Sequence, residues 1–437
     1  MKNFIKFLKT DIKIINSYFL LAVIFIILIS IGYSSYALFS FTKTSSNVIE
    51  ATVGKIEKKP NAPVLASNMI PVYYDETAET WKKADLANPN NTYKWYDYNN
   101  GMWANAVTVT SSSRSKYLNA SIGTVISMND ITTMWVWIPR FKATTPSNYN
   151  GGTISPGAIN VTFAKQNEPA IDAFTFGTKQ LSGFWYGKFE TSHTTLASST
   201  TNNNLGCATT TCSNANGIII KPNVKSLRYN NISNFFFVSR SMEQTGNSFG
   251  FVSTEVDTHM SKNNEWGAVA YLTQSIYGRC ISSTTCTEVG INNNGSFITG
   301  YGAPAGSSSS VTNGTYNTTL GKDASTTGTI YGIYDMSGGA WEYVMGVYNK
   351  TISLSGFNGL PDAKYYNNYI ESSYTGHALT ETKNWYSDGA RFVVSNYPWF
   401  FRGGSYSYDT SAGVFNFDDH NGNSSSNRSS RLVISNE

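Results

Sequence analysis

A chain of 437 residues is long enough for two or three ordinary domains, or for one large domain with extensions. Only 14% of its residues are charged, against about a quarter in an average protein, while 14% are aromatic. Asn, Ser and Thr take over the solvating role, and the net charge of +4 comes without a basic stripe interleaved with aromatics. That excludes a nucleic-acid groove, which needs clustered Lys and Arg to displace counterions.

The first predicted element is a membrane helix. No charged residue lies between Lys13 and Lys43, and the interval contains "YFLLAVIFIILISIGYSSYALFSF". A run of this length spans a bilayer. Lys2, Lys6, Lys9 and Lys13 precede it with only Asp11 against them, so the positive-inside rule places residues 1–16 in the cytoplasm and the chain after the span outside. A cleaved signal peptide is the alternative, with small residues at Ser35-Tyr36-Ala37. The apolar run is longer than a signal h-region, which favours an uncleaved anchor over residues 17–41. Residues 42–68, with Lys and Pro between Lys55 and Pro63, read as an extracellular spacer.

From Met69 onward aromatics become dense, and residues 69–130 read as an aromatic-rich N-terminal subdomain. Short apolar runs between Asn, Gly and Ser turns then predict strands and loops. "MWVWIPRF", Met134 to Phe141, is a buried strand ended by Pro139; "GFWYGKFETS", Gly183 to Ser192, is another. A helix is predicted where Trp266, Val269, Ala270 and Leu272 recur at helical spacing, with Asn263 or Asn264 as N-cap. A second is predicted over Lys221 to Phe235. "TTLASSTTNNN" and "GSSSSVTNGTYNTT" carry too little apolar surface to pack and are loops. The sum is an α+β domain, loop-rich, with short antiparallel strands and a few helices.

The four cysteines form two close pairs, Cys207 with Cys212 and Cys280 with Cys286. An exported chain with an even count predicts two local disulfides. The spacings exceed the usual zinc CxxC, and His193, His259, His377 and His420 are scattered, so no metal and no cofactor is expected.

Taken in order, these segments resemble the formylglycine-generating-enzyme family, a variant of the C-type lectin fold. "IYGIYDMSGGAWEYVMG" over residues 330–346 is similar to the family's Gly-Leu-Tyr-Asp-Met-x-Gly-Asn-Val-Trp-Glu-Trp segment; "WVWIPRF", "GFWYGKFETS", "NNEWGAVAYL", "FFRGGSY" and "SRLVI" resemble its other strands and helix. The resemblance implies a domain over residues 131–437 and a framework of Trp341, Glu342, Arg402, Gly403, Gly404 and Arg431. Gly338 and Gly339 suit a turn with positive φ, and Trp341 and Tyr343 alternate with Glu342 as on a half-buried strand. Glu342 is read as a structural carboxylate bonding loop N–H groups, in preference to a general acid. Asp335 and Asp388 are read as turn formers. The family's oxidase chemistry needs a C-terminal cysteine pair for copper, and no cysteine follows Cys286. A non-haem iron site needs clustered histidines, so no enzyme activity is expected.

The stretch Phe401 to Ile434 has Arg-Gly-Gly at one end, Arg-Leu-Val-Ile at the other, and a polar filling without Lys, Glu, Gln, Met or Trp. This resembles the variable proteins of diversity-generating retroelements, in which template adenines are randomised. From an AAC codon every residue of the filling is reachable, and the five missing ones are not. The candidate ligand contacts are Tyr406, Tyr408, Asp409, Ser411, Asn416, Asp418 and Asp419, followed by His420, Asn423, Ser424, Ser426, Asn427 and Arg428. Tyr with small polar residues is also the composition of antibody paratopes. The expected function is a single-pass, membrane-anchored bacterial cell-surface receptor or adhesin with an extracellular protein or glycan ligand. The alternatives are an enzyme of the formylglycine-generating or non-haem iron type, and a structural envelope protein.

Overall fold

A computed structural model describes residues 49–52, 55–87, 92–144, 155–308 and 314–436. The expected membrane span, residues 17–41, lies outside them. Among the described residues no helix is long and apolar enough to cross a membrane.

Seven antiparallel strands form the larger sheet, in the order Val256–Met260, Leu432–Asn436, Gly183–Gly187, Ile131–Pro139, Asn105–Val109, Ile70–Asp75 and Thr80–Lys83. The central strands are covered on both faces, so they read as near-continuous apolar runs with little polar alternation. Trp137 stands opposite Trp185 in the register, their rings 5.2 Å apart, and Trp95 stacks on Trp185 at 6.0 Å. Strands from both sides of residue 130 share this sheet, and residues 48–437 form one compact unit. The aromatic-rich stretch after Met69 therefore extends the same core.

A smaller sheet has the order Asn367–Tyr369, Trp341–Tyr348, Trp399–Arg402 and Phe417–His420. Arg428–Ser430 joins it in parallel along Trp341 to Tyr343. The C-terminus thus links the two sheets: Arg428–Ser430 ends in the smaller one, and Leu432–Asn436 begins in the larger one one residue later.

The helices differ from expectation at their starts. Asn263–Thr273 is buried throughout and begins after Lys262, not after an asparagine; the Glu265 carboxylate accepts the Lys262 N–H at 2.8 Å and closes the first turn. The helix expected over Lys221 to Phe235 runs instead from Ile232 to Ser241. Asn231 caps it, its side chain accepting from Asn234 N at 3.0 Å. The run Met134 to Phe141 is split: one strand is Ile131–Pro139 and a separate one is Phe141–Thr144. Both predicted disulfides are formed, Cys207–Cys212 and Cys280–Cys286.

Candidate ligand-binding face

The frame of the C-terminal stretch is held by buried cations. Arg402 is fully buried and donates to Asn263 Oδ1 at 3.2 Å, His377 O at 3.4 Å and Ala378 O at 2.9 Å, with its guanidinium over Trp266. Burial pushes it down to about 10, so the carbonyls hold a cation that has no carboxylate among its described partners. Arg431 is equally buried. Its Nε donates to Glu342 Oε2 at 2.9 Å, another nitrogen to Glu342 Oε1, and its remaining donors to Gly187 O and Tyr334 O at 2.8 and 2.9 Å. Glu342 is therefore structural, but its partner is this guanidinium rather than loop N–H groups. The loop N–H role falls to Glu190, which accepts Ala340 N at 2.8 Å, and to Asp335, which accepts Gly300 N at 2.8 Å. Asp388 accepts Phe415 N at 2.9 Å. Asp335 and Asp388 thus tie distant loops together instead of only forming turns. Gly404 has φ +76°, and a Cβ there would stand 2.6 Å from Ala412 Cα.

Between these anchors the smaller sheet alternates. Trp341, Tyr343 and Phe401 lie on one face, as do Asp418 and His420, by the pairings Tyr343 with Phe401 and Phe401 with Asp418. The first three are buried and form an aromatic floor, with Trp341 and Phe401 rings 4.1 Å apart. Tyr408, 44% exposed, stands edge-on over Trp341 at 4.9 Å. His420 lies 5.8 Å from Phe401, and its Nδ1 is 2.7 Å from the Tyr343 hydroxyl, which donates to Asn423 O at 2.8 Å. The Arg428 guanidinium covers Phe401 and Tyr343 at 5.5 and 5.9 Å.

Most of the candidate contacts are placed at this surface. Tyr408 and Ser426 are exposed; Tyr406, Asp409, Ser411, Asp418, His420, Asn423, Ser424, Asn427 and Arg428 are half-buried. Two are not at the surface. Asp419 alternates onto the inner face with Phe417 and is 7% exposed. Asn416 is 1% exposed, its side-chain amide closing the loop onto Ser411 O at 2.5 Å. Both belong to the frame.

The electrostatics separate these groups further. Burial pushes Asp419 up to about 6, with Asp418 beside it adding and Arg391 opposing. Burial pushes His420 down to about 3, helped by the positive charge of Arg428. At neutral pH His420 is a neutral hydrogen-bonding group and Arg428 carries the charge over the floor.

Residues from elsewhere complete the face. Arg391, 68% exposed at its side chain, pairs with Asp418 at 3.1 Å and Asp419 at 3.3 Å. Phe297 meets Tyr406 edge-on at 5.0 Å, and Arg228 stacks on Phe297 at 3.9 Å. No spacing in the sequence joins residues 228 and 297 to the C-terminus.

Among the described residues, cavities of about 740, 450 and 160 Å³ lie away from this face. The smallest is lined by Asp172 and His377. His377 Nε2 lies 2.7 Å from Asp172 and Nδ1 lies 2.7 Å from the Tyr369 hydroxyl. Among the described residues no group of three or more His, Cys, Asp or Glu could hold a metal ion.

No protein-family model matches the chain, so the likeness to the formylglycine-generating enzymes has no family match behind it. No curated protein matches either. Among solved structures, Treponema denticola variable protein 1 aligns at 12% identity over 72% of this chain and 97% of its own, with a TM-score of 0.27. The Major Tropism Determinant U1 variant aligns at 14% identity over 90% of this chain and 82% of its own, with a TM-score of 0.25. Likeness at these scores carries no argument for fold or function.

Proposed function

We propose that the chain is a membrane-anchored bacterial cell-surface binding protein, a receptor or adhesin of C-type-lectin-like fold that presents its C-terminal face to a ligand. The observation that carries this reading is the division of labour within the last 36 residues. Buried Arg402, Gly404, Asn416 and Arg431 fix the backbone, while Tyr408, His420, Ser424, Ser426 and Arg428 lie half-buried or exposed on or beside one aromatic floor. Side chains of that second group can change without disturbing the first. Such a surface suits recognition, and its residue alphabet suits diversification by a retroelement.

The test is made on intact cells bearing the full chain. External protease is expected to remove the domain after Lys43, and a protein and glycan array probed with the full-length protein in detergent is expected to give hits that Tyr408→Ala loses. Complete protection of the domain overturns the topology. Hits indifferent to Tyr408→Ala overturn the choice of face. A reverse transcriptase gene and a near-copy of the last coding segment nearby are the expected genomic companions of diversification.

A further inference from the structure

Two half-buried guanidinium groups on this face differ from Arg391 and Arg431. Arg228 stacks 3.9 Å from the Phe297 centroid and 5.5 Å from that of Tyr229, and one of its terminal nitrogens donates to Ser426 O. Arg428, two residues on from Ser426, stacks over Phe401 and Tyr343. The segment between them is pinned by Tyr229 N donating to Ser425 O at 3.0 Å and Trp341 N donating to Asn427 O at 2.9 Å. The two groups therefore stand on either side of one short, fixed piece of chain.

Neither has a carboxylate within ion-pair distance among the described residues, and the Nε of each is buried without a hydrogen-bond partner. Arg391 and Arg431, by contrast, each hold acidic side chains. Taking a guanidinium N–H out of water without an acceptor is unfavourable. Stacking on aromatic rings fixes the plane of each group, and its terminal N–H groups are the ones left for a carboxylate. Tyr406 and Tyr408 flank the pair, and Tyr, Trp and Arg are the residues that dominate binding energy at protein interfaces. The three cavities described above do not touch this face.

We infer that the face binds an acidic segment of a protein ligand, with Arg228 and Arg428 taking its carboxylates and Tyr408 and Tyr406 its neighbouring side chains. This rests on reading the face as a recognition surface. Arg228 lies outside the C-terminal stretch, so it supplies a constant anchor beside contacts that vary.

The experiment uses the full-length protein in detergent on an array of synthetic peptides of equal length. All peptides share aromatic and polar positions; three sets add Glu and Asp, Ser, or Lys. Wild type is expected to favour the acidic set over the Ser set at least tenfold, and more strongly at low salt. Arg228→Gln with Arg428→Gln is expected to reduce that preference below twofold, and Arg228→Lys with Arg428→Lys to keep part of it. Melting temperatures confirm that each variant is folded, and the lysine pair keeps the test open if the glutamine pair is not. No preference for acidic peptides, or a preference indifferent to the arginines, overturns the inference. If binding then still depends on Tyr408, the recognition surface stands without its acidic ligand; if it does not, the face itself is wrong. An array arm of polygalacturonate that binds while acidic peptides do not overturns the assignment to a protein.

Discussion

The two sheets solve different problems. In the larger one, Trp135, Trp137 and Trp185 are fully buried, and side chains on both faces are fixed by packing. In the smaller one, the inner face is fixed by Arg402, Phe417 and Asp419, while the outer face is an aromatic floor with a half-polar cover. A substitution in the first sheet meets neighbours on every side and leaves a cavity or an overlap. A substitution in the cover of the second meets solvent on one side. The difference shows how a chain holds a rigid backbone and a replaceable surface on the same strands: period-two alternation assigns adjacent residues to opposite duties.

The hardest blow to that arrangement falls where the sheets are joined. Removing one partner of the Glu342–Arg431 pair leaves the other charge buried and unpaired. Glu342→Gln or Arg431→Met is expected to cost about 3–5 kcal/mol, read from urea unfolding. A loss under about 1 kcal/mol would show that the join is not what holds the two sheets in register.

Next in size is the turn after Arg402. Gly404→Val places a branched side chain at φ +76° and against Ala412. A loss on the order of 2 kcal/mol is expected from backbone strain and overlap together. Gly404→Ala is expected to fall between wild type and the valine variant, and equal melting temperatures for all three would contradict the close approach.

The frame residues were named through a family resemblance; what the local sequence itself offered was the turn glycines and the alternation along the strand. The alternation of Trp341, Glu342 and Tyr343 predicted which side chains share a face. What was not legible depended on distant partners. Glu342 meets Arg431 across 89 residues, and nothing local names that partner. Arg228 and Phe297 reach the face through loops whose paths no period encodes. Asp419 and Asn416 look like their polar neighbours in composition; only the strand register at Phe417–His420 and the loop closure onto Ser411 turn them inward. The helix expected over Lys221 to Phe235 failed because Asn231, a good N-cap within the predicted span, starts a helix there rather than interrupting one.

The larger sheet also contains buried charge at its edge strand, and pH distinguishes it from the smaller sheet. His259 is fully buried between Asp257 and Glu265, each carboxylate 3.0 Å from a ring nitrogen. Burial opposes its charge, but Glu265 and Asp257 outweigh it and raise the imidazole above its ordinary value. Arg240, Lys262 and Lys364 stand around the same carboxylates, and Phe176 stacks on the ring at 4.8 Å. Because the folded value lies above the unfolded one of about 6.5, the stabilisation from His259 is fully present below that pH. It is lost as pH rises through the folded value. The stability difference between wild type and His259→Gln is therefore expected to shrink between about pH 6 and the alkaline range, measured by urea midpoints at each pH. A difference that is flat with pH would mean that the ring is held neutral.

The smallest stability effects are expected on the cover, and they sharpen the contrast most. Ser424 is half-buried and Ser426 exposed, so Ser424→Ala and Ser426→Ala are expected to change stability by less than about 0.5 kcal/mol. Tyr408→Ala loses one edge-on contact with Trp341, which costs about 1 kcal/mol or less. Asp419→Ala, one residue from the equally acidic Asp418, is expected to differ from all three, because its carboxylate is inside and faces Arg391. On ligand binding the order reverses: Tyr408→Ala is expected to cost on the order of 2 kcal/mol, as an aromatic at the centre of a contact does, while Asp419→Ala acts only through the fold. Paired melting and binding measurements on these four variants decide the matter. If Tyr408→Ala unfolds the domain and Asp419→Ala does not, duties have been assigned to the wrong faces of the strand.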